Sequence, residues 1–341
     1  MSTSTVGSPV RIATRGSALA LAQARLVLAR CQTAFPRARF ELLVLKTTGD
    51  KLQTASMARP SPDLPKGLFT KELEAALLRG DADFAVHSLK DLPTEMPSGL
   101  RLAGVLERED PRDVLVLRTR PRRTSSATAA KRPLPELRLG AVVATSSTRR
   151  AAQLRALRPD LRLVEIRGNV PTRLQKLAAD EKLDATILAA AGLARLGIRQ
   201  DAQGRLVCPP DLAASTWGRG LPARALTLRE MLPAVGQAAI GLQARVGDRR
   251  TAAVCRRLDH RPTRVCVEAE RAFLEGFGGG CHSPVAALAT LRAGRLTFQA
   301  RAFDGDRAWH RRETGPVGRA RSIGRLLGRS ARQALGLAGA A

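Results

Sequence analysis

Along the first two thirds of this chain, short apolar runs break off into polar turns, and amphipathic stretches follow them. Asp83-Phe84-Ala85-Val86-His87-Ser88-Leu89-Lys90-Asp91-Leu92-Pro93 begins as a buried strand and ends in charged groups before a proline. Pro93 has no N–H and biases Leu92 away from helix, so the strand is expected to stop near Lys90 and Asp91. Strand alternation would point Ser88 and Lys90 one way and Leu89 and Asp91 the other. Residues 10–13 read as a strand, residues 14–17 as a turn, and residues 18–32 as a helix with Ser17 at its N-cap. Further strands are expected at 40–46 and 100–106, with a helix at 67–80 between them. The proline-rich stretch 53–66 reads as a mobile loop.

The plan then repeats. Strands are expected at 113–118, 139–144, 161–166 and 184–190, and helices at 148–157 and 170–178. Strands alternating with helices point to parallel-sheet α/β units, whose strand ends face a ligand crevice. Beyond residue 232 the pattern changes. A mixed stretch to about 257 precedes a helix at 265–277, three glycines, two strands at 285–291 and 295–303, and a helix at 319–335. The last third therefore reads as a small α+β domain.

Length and composition narrow the possibilities. With 341 residues and 44% hydrophobic content, the chain is globular and makes two or three domains. Aromatics are 3% and Tyr is absent, which leaves few platforms for stacking bases. No apolar run reaches the ~18 residues that span a bilayer. The first residues, Met1 to Thr5, lack the basic and apolar regions of a secretory signal. The cysteines Cys31, Cys208, Cys255, Cys266 and Cys281 are widely spaced, with no CxxC, which fits a reducing cytoplasm better than a disulfide framework or a zinc site. The four His show no metal spacing. The formal charge is +27, and 49 of the 57 basic residues are Arg. Arg suits bidentate binding of carboxylate or phosphate. The partner is then nucleic acid or a polyanionic small molecule, unless the Arg simply clothe the surface. The run 119–135, Arg- and Ser-rich, reads as a flexible basic insertion outside any site.

Both α/β units place Ser in a strand-to-helix turn, Ser17 in the first and Ser146 with Ser147 in the second. Arg15 lies beside the first turn, Arg149 and Arg150 beside the second. A helix N-terminus offers free N–H groups and a positive dipole end to an anion, and a nearby Arg adds charge. Two such turns facing one another would bind a small polyanion. Cys281 follows Gly278-Gly279-Gly280 on a loop; His282 is adjacent and poorly placed to act as its base. Three functions remain open on these grounds: an enzyme using Cys281, a two-lobed small-anion-binding protein, and a nucleic-acid binder.

Six motifs occur in order: Arg11-Ile12-Ala13-Thr14-Arg15-Gly16-Ser17, Lys66-Gly67-Leu68-Phe69, His87-Ser88-Leu89-Lys90-Asp91-Leu92-Pro93, Arg108-Glu109-Asp110-Pro111-Arg112-Asp113, Arg167-Gly168-Asn169-Val170 and Gly279-Gly280-Cys281. Together, from about residue 10 to 290, they resemble the hydroxymethylbilane synthase (porphobilinogen deaminase) family. Ala238 departs from the family's frequent Gly, and the stretches 53–66 and 119–135 depart in length and composition.

The resemblance implies two similar periplasmic-binding-protein-like lobes, 8–111 with 239–256 and 112–234, plus a C-terminal α+β domain, 258–341. It implies a transferase that joins four porphobilinogens head to tail with loss of ammonia and releases the linear tetrapyrrole by hydrolysis. A dipyrromethane cofactor would be held by a thioether to Cys281. Asp91 would be the catalytic carboxylate. Ser17, Ser88, Lys90, Asp91, Thr145, Ser147, Arg149, Arg150 and Arg167 would bind the cofactor. Arg15, Arg150, Arg173, Arg195, Lys66 and Phe69 would bind substrate. No metal, membrane or nucleic-acid partner is implied, and a cytoplasmic monomer is expected. The chemistry agrees with the Arg content, because a growing chain of pyrroles bearing acetate and propionate is a small polyanion. An ionised carboxylate beside the pyrrole N–H groups would stabilise the cations that form when ammonia leaves.

Overall fold

The structure is a computed structural model that describes residues 8–47, 70–118, 132–210, 220–280 and 283–337. It divides into two compact units, residues 1–109 with 239–265, and residues 110–238 with 266–341. Lys66, Phe69 and Cys281, the loop 53–66 and most of the basic insertion lie outside the described residues. Among the described residues no helix is long and apolar enough to cross a membrane.

The first unit is a five-stranded sheet in the order β2-β1-β3-β12-β4. Strands β1 (Val10–Arg15), β2 (Phe40–Leu45) and β3 (Phe84–Ser88) are parallel. The return strand β12 (Ile240–Arg245) runs antiparallel between β3 and β4 (Leu100–Val105). Both faces are covered, which is why the central strands read as unbroken apolar runs. Ile12, Phe84 and Val86 pack on one face with Val27 and Cys31 of α1 (Ala18–Ala34) and Cys255 of α6 (Arg249–Leu258). Ala13 and Ala85 pack on the other with Leu73 and Leu77 of α2 (Lys71–Arg79). Two of the chain's cysteines thus become core: burial pushes the Cys31 and Cys255 thiols up to about 12.

The lobe that opens the second unit repeats that order as β11-β5-β8-β6-β7. Here β6 (Val142–Ala144) is parallel to β7 (Arg162–Val164) and β8 (Ala185–Ala189). Strand β5 (Asp113–Leu117) is antiparallel to β8 and to β11 (Ala223–Ala225). Helices α3 (Thr148–Leu157), α4 (Val170–Ala179) and α5 (Ala190–Arg195) follow β6, β7 and β8. A small hairpin, β9 (Arg199–Gln200) and β10 (Leu206–Val207), follows α5. The two lobes share one plan, each with one antiparallel strand beside the parallel set.

The same unit contains a three-stranded meander, β13 (Val285–Arg292), β14 (Arg295–Asp304) and β15 (Arg307–Pro316), covered by α7 (Arg261–Phe277) and α8 (Ala320–Ala334). Phe273 of α7 stacks on Trp309 of β15, with ring centroids 6.1 Å apart. Gly324 and Gly328 let α8 lie against the α7 backbone, where a Cβ would meet the carbonyls of Ala269 and Phe273.

Several expectations change. The opening strand stops at Ser88, and Leu89–Asp91 form a 3₁₀ turn. Three residues per turn place Leu89 and Leu92 on one buried side and leave Asp91 exposed, so strand alternation does not govern Lys90 and Asp91. The basic insertion ends earlier than 135: Leu134 is fully buried, and the Arg158 guanidinium donates to the carbonyls of Pro133, Leu134 and Arg138. The mixed stretch after 232 resolves into β12 and α6. The C-terminal sheet has a third strand, β15, hidden by its almost wholly polar sequence, as is usual at a sheet edge.

Candidate functional site

In the first unit the side chains expected to act gather where β1 and β3 end. The Ser17 hydroxyl caps α1, accepting from the Ala20 N–H at 3.4 Å. Gln23, one and a half turns into α1, is buried and donates to the Ser88 Oγ at 2.9 Å. That bond ties the start of α1 to the end of β3. Immediately after Ser88 the 3₁₀ turn presents Lys90 and Asp91. The Asp91 carboxylate makes no hydrogen bond or ion pair with another described residue. Arg15 ends β1, and its charge helps depress the neighbouring His87. Burial first, opposed by Gln243, pushes that imidazole down to about 4, so His87 is neutral at physiological pH.

In the second unit the corresponding strand ends carry Thr145, Ser147 and a set of arginines. The Ser147 hydroxyl caps α3, accepting from the Arg150 N–H at 3.4 Å. Thr145 Oγ1 accepts from the Ser147 N–H. Ser146 donates to the Ile166 carbonyl and accepts from the Ile166 N–H, which joins the ends of β6 and β7. Arg167 is exposed and pairs with Glu165 at 3.3 Å. Gly168 then turns with φ 116°, and a Cβ there would come within 2.7 Å of Thr172, so only glycine fits. Arg173 donates to the Gly168 carbonyl, and Arg195, at the end of α5, donates to the Ala238 carbonyl.

Arg149 and Arg150 are not where the sequence suggested. They occupy the first turn of α3 but point inward, 4% and 5% exposed, onto a carboxylate that is 0% exposed. Arg149 Nη1 donates to Asp113 Oδ2 at 2.8 Å and to the Leu232 carbonyl. Arg150 Nη2 donates to Asp113 Oδ1 at 2.7 Å, and its Nη1 to the Ile187 carbonyl. Burial by itself would raise the Asp113 carboxyl, but the two guanidinium groups hold it well below the ordinary carboxylate range. Burial likewise lowers Arg149, with Asp113 opposing. The Arg149 Nε is buried with no partner. The sequence missed Asp113 because a lone acid before an apolar run looks like a strand start. Gln237, which donates to Asp113 Oδ1 and the Pro111 carbonyl, was missed for want of any motif chemistry.

Chemically, the first unit offers a carboxylate without a cationic partner among the described residues, beside a lysine and a hydroxyl. The second offers cations around helix starts. Among the described residues no group of His, Cys, Asp and Glu is arranged to hold a metal.

Comparison with known families is unambiguous. The family model for the "Porphobilinogen deaminase, dipyromethane cofactor binding domain" matches residues 10–253, and that for the "Porphobilinogen deaminase, C-terminal domain" matches residues 264–333. The chain is 42% identical over 321 residues to a porphobilinogen deaminase of Desulforudis audaxviator, covering 93% of this chain and 92% of the relative. It is 44% identical over 290 residues to that of Pelotomaculum thermopropionicum, covering 85% and 82%. It is 43% identical over 322 residues to that of Paracoccus denitrificans, covering 93% and 91%.

Proposed function

We propose, for a chain that belongs to the porphobilinogen deaminase family, that it joins four porphobilinogen molecules head to tail, releases ammonia at each addition, and yields hydroxymethylbilane for tetrapyrrole synthesis. The observation that carries this reading is the match of a dipyrromethane-binding family domain across residues 10–253, a stretch in which the end of β3 presents Asp91. The residues present fit such a cofactor: an exposed carboxylate without an ion-pair partner among the described residues can receive pyrrole N–H groups, and the arginines can receive acetate and propionate. Ser17, Ser88, Lys90, Thr145, Ser147 and Arg167 would hold it, with Arg149 and Arg150 acting from behind α3, and Cys281 would carry the thioether. When bound, the cofactor supplies the pyrrole end to which the first substrate is joined.

Arg15, Arg150, Arg173 and Arg195, with Lys66 and Phe69, would bind and orient the substrate's carboxylates and ring. Asp91 accepts hydrogen bonds from pyrrole N–H groups and offsets the positive charge that develops as ammonia leaves. It is held by the 3₁₀ turn, so its position does not have to be reorganised at each step. The enzyme is further proposed to act as a cytoplasmic monomer without a nucleic-acid partner. Cys31 and Cys255, fully buried as core thiols, fit a reducing compartment.

Intact-mass spectrometry with single-turnover ammonia release tests the reading. Wild type should carry a dipyrromethane adduct, and Cys281→Ser should not. Asp91→Asn should keep the fold and lose about 10²–10³ in rate, the usual cost of one preorganised electrostatic group. An active wild-type protein of unmodified mass would overturn the assignment of the cofactor. Ammonia release at the wild-type rate in folded Asp91→Asn would reduce Asp91 to a binding residue.

A further inference from the structure

We propose that Asp113 is the positioning residue of the anion-binding helix start in the second unit: one carboxylate that aims two guanidinium groups and sets their combined charge. The proposal rests on the deaminase reading, because the anion those groups serve is the carboxylate-bearing pyrrole chain.

Two cations in the first turn of α3 oppose the helix dipole, whose positive end is already there. Both are also buried, which costs more. Asp113 offsets one of the two charges. Its Oδ2 accepts from Arg149 Nη1, and its Oδ1 accepts from Arg150 Nη2, Arg150 Nε at 3.2 Å and Gln237 Nε2 at 3.1 Å. Both carboxylate oxygens are thereby committed to the protein, so Asp113 acts through the arginines and never on a ligand. Within the triad one positive charge remains uncompensated, and Arg149 keeps an unused buried N–H donor at Nε. A single incoming carboxylate would balance the triad.

Asp113 is itself fixed from the opposite side. Gln237 donates to it and to the Pro111 carbonyl, while the adjacent Gly236 N–H donates to the fully buried Glu270 of α7 at 2.8 Å. Glu270 also accepts from the Ala289 N–H of β13. The orientation of both guanidinium groups is thus referred to a rigid frame extending into the C-terminal sheet. Without the carboxylate, two adjacent buried cations would repel one another and lose their common anchor.

The test compares wild type with Asp113→Asn and with Asp113→Asn/Arg149→Gln, in which the charge is rebalanced. Adduct content, thermal midpoint, and kcat and KM for porphobilinogen at several salt concentrations are measured, with kcat expressed per adduct-bearing molecule. Asp113→Asn should lower kcat by about tenfold or more, as loss of a charge-assisted anchor does. It should also steepen the salt dependence of KM, because a second cation is now unscreened by the protein. The double variant should return the salt dependence toward that of wild type. An Asp113→Asn enzyme with a lower thermal midpoint, unchanged salt dependence and kcat within about twofold of wild type would overturn the proposal and leave Asp113 purely structural. If Asp113→Asn fails to fold, Asp113→Asn/Arg149→Gln is compared with Arg149→Gln alone: a kcat clearly below that of Arg149→Gln supports positioning, and an equal kcat refutes it. An inactive wild type would instead refute the deaminase reading.

Discussion

At the end of β1 the chain turns through Ser17 into α1; at the end of β6 it turns through Ser147 into α3. In both corners the serine accepts from the third helical N–H at 3.4 Å. In both the sixth helical residue is a buried glutamine, Gln23 or Gln153. In both the last residue of the adjoining parallel strand faces the first residue of an antiparallel strand, Ser88 against Ile240 and Ala189 against Asp113. The difference lies in what fills this shared frame. Leu19, Ala20 and Ile240 occupy the first corner where Arg149, Arg150 and Asp113 occupy the second. The first corner shows that an apolar trio suffices to build the turn. A buried ion triad is weak evidence for stability, so its presence in the second corner fits the anion-binding role proposed for it.

The sharpest way to break this comparison is to unbalance the triad. Asp113→Leu leaves two adjacent buried cations without their counter-ion and should cost about 3–5 kcal/mol in urea unfolding. Transplanting the whole first-corner trio, as Asp113→Ile/Arg149→Leu/Arg150→Ala, should instead fold with stability within about 2 kcal/mol of wild type, yet assemble no cofactor by mass. If the triple variant unfolded as readily as Asp113→Leu, the two corners would not be interchangeable frames.

A smaller effect should appear in acid. The folded Asp113 carboxyl lies below its ordinary value of about 3.9, so the stability it contributes is fully present above that pH and is lost as pH falls toward the folded value. The stability gap between wild type and Asp113→Asn should therefore narrow between about pH 5 and pH 2 in urea melts. A constant gap would mean that the charge of Asp113 contributes nothing. The smallest effect belongs to the caps. Ser17→Ala and Ser147→Ala should each cost about 1 kcal/mol, and unequal losses would show that the corners differ in backbone as well as in filling.

Much of this frame is legible in the sequence. The apolar runs of β1, β3 and β8 mark buried strands, and Ser17 and Ser147 mark helix starts, because local propensity and tertiary burial agree there. The direction of Arg149 and Arg150 is not legible. A basic residue near a helix start reads as solvent-facing unless its counter-ion is known, and Asp113 lies 36 residues away in sequence from Arg149. Nor is the turn that carries Asp91 legible: strand alternation does not hold there, since the 3₁₀ geometry depends on Leu89 and Leu92 finding a common buried side. Strand β15 escaped notice because only Trp309 and Gly315 of its ten residues are buried.

The late arrival of β12 has a consequence for how the polypeptide is made. Strand β4, complete at Val105, has β12 as its one neighbour in the sheet, and β12 begins at Ile240. At ~5–20 residues per second a ribosome needs on the order of ten seconds to cover that interval. Through it the nascent first lobe holds β1, β2 and β3 in a parallel core with one flank of β3 bare and β4 unpaired, a typical aggregation hazard. The second lobe's five strands, by contrast, all lie between Asp113 and Ala225, so its sheet can close before the older lobe is finished. The domain that starts first during translation is the one that must wait.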